Sequence, residues 1–266
     1  MKGELPLRTW SWQRVRFWLA ALLAALVYIW AIRGVEFTSI KQNAGDITAA
    51  IFRGLLHPDW SYVYLPEGED LLRGILDTLA IAVLGTFISA VLCLPFAFWA
   101  AVNMSASRWI SGSGKIVLTF IRTFPELVLA VMFIKAVGPG PFAGVLALGL
   151  HSIGMLGKLY AEAIENMDRG PAEALTACGA NRIQTLWFAD LPQVLPEFLS
   201  FTLYRFEISV RSAAILGIVG AGGIGTPLIF ALEARGWPRV GIIVLGIIVT
   251  VTIIDYASSY LRKKLV

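Results

Sequence analysis

The sequence predicts an all-α polytopic membrane protein with about six transmembrane helices, and three observations carry that prediction. The first is composition: of 266 residues 57% are hydrophobic and 15% charged, with a mean hydropathy of +0.73, whereas a soluble domain carries about 25% charged residues. The second is run length. No charge interrupts the chain from Thr78 to Ser107, and a hydrocarbon core of roughly 30 Å needs about 20 helical residues to cross. The third is pattern: the alternation of a membrane β-barrel is missing, which leaves helices to satisfy the backbone in lipid.

Each element follows from these signals in turn. Residues 17–32 come after a basic start (Lys2, Arg8, Arg14, Arg16) and have the apolar run of a signal peptide. Trp30 and Ile32 stand where a cleavage site needs small residues, so the segment reads as a retained anchor helix. Residues 33 to about 72 are polar, with Glu36, Asp46, Asp59, Glu67, Glu69 and Asp70. A second span falls within 74–102 and a third at 116–137; "GPGP" (138–141) then turns the chain into a fourth, 142–157. The loop 158–197 is the most charged interior stretch. A fifth span covers about 198–219, a glycine-rich hairpin or re-entrant segment follows, and a sixth covers about 240–261. Residues 1–70 thus form an anchor helix and a polar extracytoplasmic stretch, and 71–266 hold the other spans.

Charge orients this layout. With the N-terminus in the cytosol, twelve of the 22 Lys and Arg residues fall inside and six outside, the bias of the positive-inside rule, and both termini are cytosolic. The net charge of +4 is spread between spans, so it orients the chain in lipid and indicates no nucleic acid partner. Cys93 and Cys178 offer neither a disulfide framework nor a metal-ligand spacing.

The loop "DRGPAEALTACGANRIQTLWFADLPQVLP" reads as two short helices and the start of a third. Pro171 suits a first helical position, where no N–H partner is needed, and Glu173 puts negative charge in the first turn. Gly179 suits the left-handed residue that ends this helix. Asn181 and Gln184 have the spacing of a capping box, and Asp190-Leu191-Pro192 restarts the chain as a membrane helix. Leu175, Cys178, Ile183, Leu186 and Trp187 are apolar in a loop that faces water. An amphipathic hairpin lying on the membrane and a docking knob for a soluble partner both fit.

Glu173-Ala174-Leu175, Gly179 and Leu191-Pro192 resemble the EAA motif of ABC-importer permeases, Glu-Ala-Ala, three residues, Gly, nine residues, Ile, one residue, Leu-Pro. Leu175 stands where that pattern has Ala, and Ala189 where it has Ile. The stretches "IRTFPELVLAVMFIKAVGPGPFAGVLALGLHSIGMLGKLYAEAIE" and "LYRFEISVRSAAILGIVGAGGIG" extend the likeness to the phosphonate-uptake permeases of the PhnE type, over roughly residues 70 to 266. The resemblance implies a type I importer core (MetI-like) in the bacterial cytoplasmic (inner) membrane. It implies a homodimer working with two cytosolic ABC ATPase subunits and an extracytoplasmic substrate-binding protein, with 171–188 as the coupling helix. Glu173, Ala174, Gly179, Leu191 and Pro192 then belong to ATPase coupling. The chain has no GxxxxGK[ST] loop, so ATP and Mg are expected in the ATPase, and a non-catalytic transport subunit here.

Between Glu197 and Glu233 the only charges are Arg205, Glu207 and Arg211, and a charge in hydrocarbon must be paired, hydrated or turned toward protein. One reading is local neutralisation: Glu207 and Arg211 share a helix face, and Arg205 snorkels to the interface. The other is a substrate path, in which Arg205, Ser209 and Ser212 form one face of cationic and hydroxyl donors for a tetrahedral anion, with Arg211 near the membrane middle and Glu207 moderating the arginines' pull on the anion. Arg122 and Glu126 repeat the four-residue spacing beside Pro125, as an intrahelical pair, as a link to Arg205 and Glu207, or as part of the path. His151 and Lys158 fit a path or a helix contact. In "GAGGIG" the glycines Gly220, Gly222, Gly223 and Gly225 read as a gate or as close packing. A secondary anion transporter or channel accounts for the charges but not for the hairpin. An intramembrane enzyme needs a nucleophile or metal constellation that two distant histidines and two distant cysteines do not supply.

Overall fold

A computed structural model describes residues 12–34, 44–66, 70–105 and 107–265; Lys2, Arg8, Glu36, Glu67 and Glu69 lie outside the described residues. Among the described residues every regular element is helical, as expected. By contact density the chain falls into two units, residues 1–49 and 50–266.

The first unit contains α1 (Trp12–Arg33), whose apolar window has no buried residue. A helix apolar all round suits a lipid-facing span. The polar stretch carries α2 (Ala44–Leu56), which contributes to both units, and a 3-10 turn (Trp60–Val63) capped by the Asp59 side chain.

The second unit begins with α3 (Leu71–Ala100), whose N-cap Asp70 accepts from the Arg73 N–H at 2.7 Å. It continues through α4 (Arg108–Thr123), α5 (Glu126–Val137), α6 (Pro141–Asn166), α7 (Gly170–Ala177), α8 (Arg182–Thr185), α9 (Leu191–Ile218), α10 (Gly225–Glu233) and α11 (Trp237–Leu265). Central position goes to α6: 61% of its apolar window is buried, against 33% for α3 and 28% for α11. Small residues let its neighbours close in. A Cβ at Gly154 would lie 2.8 Å from the backbone N of Arg122 on α4, the close approach typical of membrane helix contacts.

Two boundaries differ from the expected spans. The third span is two helices, α4 and α5, bent by 77° at Phe124–Pro125. Proline has no N–H to continue the ladder and drives the preceding residue out of the helical region; Phe124 sits at φ −70°, ψ 124°. The fourth span runs on to Asn166 and the fifth begins at Leu191, so Lys158 lies on α6, where it pairs with Glu162 at 3.7 Å.

Four helices, α1, α3, α6 and α11, are long and apolar enough to cross a membrane, and the bent pair makes a fifth if counted as one. At 28 residues α9 is about 42 Å long, and it carries four charges, Glu197, Arg205, Glu207 and Arg211.

Candidate functional site

The chain between α6 and α9 is a compact hairpin. Pro171 takes the second position of α7, one later than expected, and Glu173 lies in the first turn. Gly179 adopts φ +88°, and the Ala180 N–H donates to the Leu175 carbonyl at 3.0 Å; a side chain at a left-handed residue costs about 1–2 kcal/mol. Asn181 and Gln184 form the capping box, each bond at 2.9 Å. A π-helical turn (Leu186–Asp190) then feeds α9, whose first two residues are Leu191 and Pro192. Ala174 and Glu173 are exposed. Ile183, Trp187 and Phe188 are 61–76% exposed, a grouped apolar surface of the kind that marks a contact site. Behind them Asp190 is buried, and its Oδ1 has no hydrogen-bond partner among the described residues. Burial pushes the Asp190 carboxyl up, against the pull of Arg169. Asp190, Glu173, Arg169 and Asn103 border a cavity of about 370 Å3.

The charges of α9 occupy two faces with different surroundings. On the inward face Arg205 is 3% exposed, so it does not snorkel. Its Nε donates to Ser152 Oγ on α6 at 2.7 Å, its Nη1 contacts Met155 Sδ, and its Nη2 stands 3.7 Å from Glu126 Oε1 on α5. Ser209 accepts from Thr86 of α3 at 2.9 Å, and Ser212 donates to Glu126 Oε2 at 3.0 Å. On the other face Glu207 accepts from Arg211 at 3.3 Å and from Arg262 at 2.9 Å, and Arg211 reaches Asp255 of α11 at 3.4 Å. Two acids and two bases close a neutral network between α9 and α11.

The break at Pro125 separates Arg122 from Glu126, so the two do not share a helix face. Glu126 turns to α9 instead, which is the interhelical one of the expected readings. His151 Nδ1 lies 3.1 Å from the Phe124 carbonyl that the break leaves free. A carbonyl can only accept, so this contact requires the proton on Nδ1.

The opposite end of α3 meets the glycine turn. Gly220, Gly222 and Gly223 all have positive φ. The Gly140 N–H donates to the Gly220 carbonyl at 3.0 Å, and the Ile224 N–H to Thr78 Oγ1 at 2.8 Å. Gly225 starts α10, which packs back on α9 so closely that a Cβ there would lie 2.7 Å from Gly217 Cα. Asp70, Arg73, Asp77, Pro139 and Phe230 surround a cavity of about 600 Å3 beside this turn. The turn meets α3 at Thr78 and the helix runs on to Ala100, which sets the turn about 33 Å along α3 from the helix's other end.

Residues 93–266 match the family described as binding-protein-dependent transport system inner membrane component. The chain belongs to this family. It is a multi-pass permease subunit of an ATP-driven, binding-protein-dependent importer of the inner membrane. The permease is 44% identical over 238 residues, 90% of its length and 84% of the relative's, to the phosphite transport system permease protein PtxC of Stutzerimonas stutzeri. It is 39% identical over 245 residues to the phosphate-import permease protein PhnE of Mycolicibacterium smegmatis, covering 91% of its own length and 44% of that longer relative. Its fold matches the inward-facing MetNI methionine ABC transporter with a TM-score of 0.65 at 21% identity, over 74% of the permease and 96% of that chain, which is the MetI-like core expected from the motif.

Sequence reasoning missed four side chains at this permease's charged helices: Ser152, Thr86, Asp255 and Arg262. Asp255 left a signal, because a lone acid within the apolar run of α11 needs a cation and Arg211 lacked a second partner. Ser152 and Thr86 left none, since a hydroxyl in a membrane helix satisfies itself on its own backbone; Ser152 Oγ indeed donates to the Leu148 carbonyl at 2.6 Å.

Proposed function

We propose that this permease moves a phosphorus oxyanion, phosphite, phosphonate or phosphate, into the cell by alternating access. In this reading two copies of the chain pair as a homodimer in membrane lipid, bind two cytosolic ABC ATPase subunits, and receive substrate from an extracytoplasmic binding protein. The observation that carries it is the likeness to permeases named for phosphite and phosphate transport over nine-tenths of the chain. The geometry agrees with it, because a tetrahedral anion needs fixed donors and the inward face of α9 supplies a guanidinium and hydroxyls.

The hairpin in 158–197 is assigned to ATPase coupling. Ile183, Trp187 and Phe188 offer the apolar contact, and Glu173, Ala174, Gly179, Leu191 and Pro192 set the shape of the lever. Both termini and this hairpin are placed in the cytosol, which matches the twelve-to-six bias of basic residues. Residues 1–70 serve as anchor and extracytoplasmic stretch, and 71–266 as the transport domain. ATP and Mg belong to the ATPase, and this chain performs no catalysis. The path is assigned to Arg205, Ser209, Ser212 and Glu126; Glu207 and Arg211 hold α9 to α11, and Arg122 flanks the break. The glycine turn and its cavity form the extracytoplasmic gate, with Gly220, Gly222, Gly223 and Gly225 allowing the close contacts that opening must exchange.

The test is uptake of radiolabelled phosphite and phosphate by cells lacking other carriers for them and expressing the permease, its ATPase and its binding protein. Uptake should require all three, and Gly179→Val should abolish it while the complex still purifies intact. Uptake that persists with a hydrolysis-dead ATPase would instead identify a secondary transporter or channel.

A further inference from the structure

We propose that Glu126 is an internal counter-ion that the transported oxyanion displaces from Arg205, and that this exchange releases the break between α4 and α5. The inference rests on the oxyanion reading above and names the step that opens the path.

Arg205 is buried but under-used. A guanidinium has five N–H donors, yet only Nε makes a short hydrogen bond, to Ser152 at 2.7 Å. Its Nη2 and Glu126 Oε1 are both buried and face each other at 3.7 Å, and neither has a hydrogen-bond partner among the described residues. A committed arginine–carboxylate pair closes to about 2.7–2.9 Å with two parallel bonds. This pair attracts without docking, the state of a place-holder.

The place it holds has the dimensions of an oxyanion. One Glu126 oxygen faces Arg205 and the other accepts from Ser212 Oγ at 3.0 Å. The two donors therefore already converge on one pair of geminal oxygens, and two oxygens of a phosphorus oxyanion have similar separation. Substituting one anion for another at Arg205 also leaves no unpaired buried cation, the most costly intermediate such a path could have. A carboxylate competitor keeps the binding weak enough for release.

Displacement has a mechanical consequence. Glu126 is the first residue of α5, and no helix continues from Thr123 across the 77° bend to it. The bend is tied to α9 by Glu126 and to α6 by the His151 contact with the Phe124 carbonyl. Freeing Glu126 removes the tie to α9. Arg122, in the last turn of α4 across the break, is the cation nearest in sequence to the released carboxylate. An anion that binds only when Glu126 is displaced shifts the population toward the released bend.

The experiment uses the purified complex of permease and ATPase, titrated with phosphite, phosphate and methylphosphonate and read by ligand-induced thermal shift, beside uptake with the binding protein present. Glu126→Gln keeps the shape and removes the competing charge; it should bind phosphite more tightly by about tenfold or more. The exchange variant Glu126→Arg/Arg205→Glu keeps opposite charges on α5 and α9 while giving up the bonds to Ser152 and Ser212; it should assemble with a lowered melting temperature, show no anion-dependent shift, and lose uptake per assembled complex by about 30-fold or more. Unaltered phosphite affinity in Glu126→Gln, or wild-type uptake by the exchange variant, would overturn the proposal and leave the pair a structural tie. If the wild-type system carries none of the three anions, the oxyanion reading itself fails, a result separable from both of these.

Discussion

The two faces of α9 place charges in the same membrane-crossing helix under opposite terms. On the outward face Glu207, Arg211, Asp255 and Arg262 pair with one another over 2.9–3.4 Å, although Asp255 Oδ1 and Arg262 Nε have no hydrogen-bond partner among the described residues. On the inward face the single pair, Arg205 and Glu126, stops at 3.7 Å and leaves buried donor and acceptor atoms unmatched. The first arrangement gives every charge an ion-pair partner within 3.4 Å and cross-links α9 to α11. The second retains an unsolved electrostatic demand, and retaining it costs stability unless something else meets it. Charge in a membrane helix is thus no single signal: its meaning depends on whether the demand is met by protein.

Arg205→Met should break this comparison most severely. It strands Glu126 in a buried position, and removing one member of a buried pair costs about 3–5 kcal/mol. The expected result is a large fall in the melting temperature of the purified complex, with recovery in Arg205→Met/Glu126→Met, which removes both charges. A single variant as stable as the wild type would mean that the inward pair is already solvated and that the two faces do not differ.

Glu207→Gln comes next. Glu207 is the centre of the outward network, accepting from both Arg211 and Arg262, and charged hydrogen bonds contribute about 1.5–3 kcal/mol each when one partner is lost. Partial exposure of the arginines reduces that figure, so a loss near its lower end is expected, with α11 loosened and uptake kept in proportion to the surviving protein. The measurement is hydrogen exchange of α11 alongside uptake per assembled complex. Thr86→Val removes a neutral donor to Ser209 on the inward face and should cost about 1 kcal/mol.

How far this contrast was legible in the sequence depends on the reach of each signal. Local signals were accurate. Asn181 with Gln184, Gly179, and the Glu207–Arg211 spacing act within four residues, and all three appear in the fold as read. The proline at 125 announced a disturbance, but a proline alone does not state its angle, and the 77° bend turned an expected i,i+4 pair into an interhelical one. Partners across helices were the least legible: Ser152 lies 53 residues from Arg205 and Asp255 lies 44 from Arg211. One chain carries no record of which helices pack together. Only Asp255 could have been inferred, because it was an acid that also needed a partner.

Arg211→Gln is the smallest change and tests the assignment of faces most directly. Arg211 is the cation nearest the expected middle of the fifth span, which on sequence alone made it a strong candidate for the path. In the fold its side chain is 45% exposed and bonded to Glu207 and Asp255, while Glu207 keeps Arg262 as a second cation. Losing it leaves Asp255 less compensated but no fully buried charge alone, so a cost below about 1 kcal/mol is expected. Oxyanion uptake per assembled complex should be unchanged, because the anion meets Arg205 and Ser212 on the other side of the helix. Uptake that drops while the complex stays intact would move the path to the outward face, making Glu207 the competitor and Arg211 the receptor, and would reverse the roles assigned to the two sides of α9.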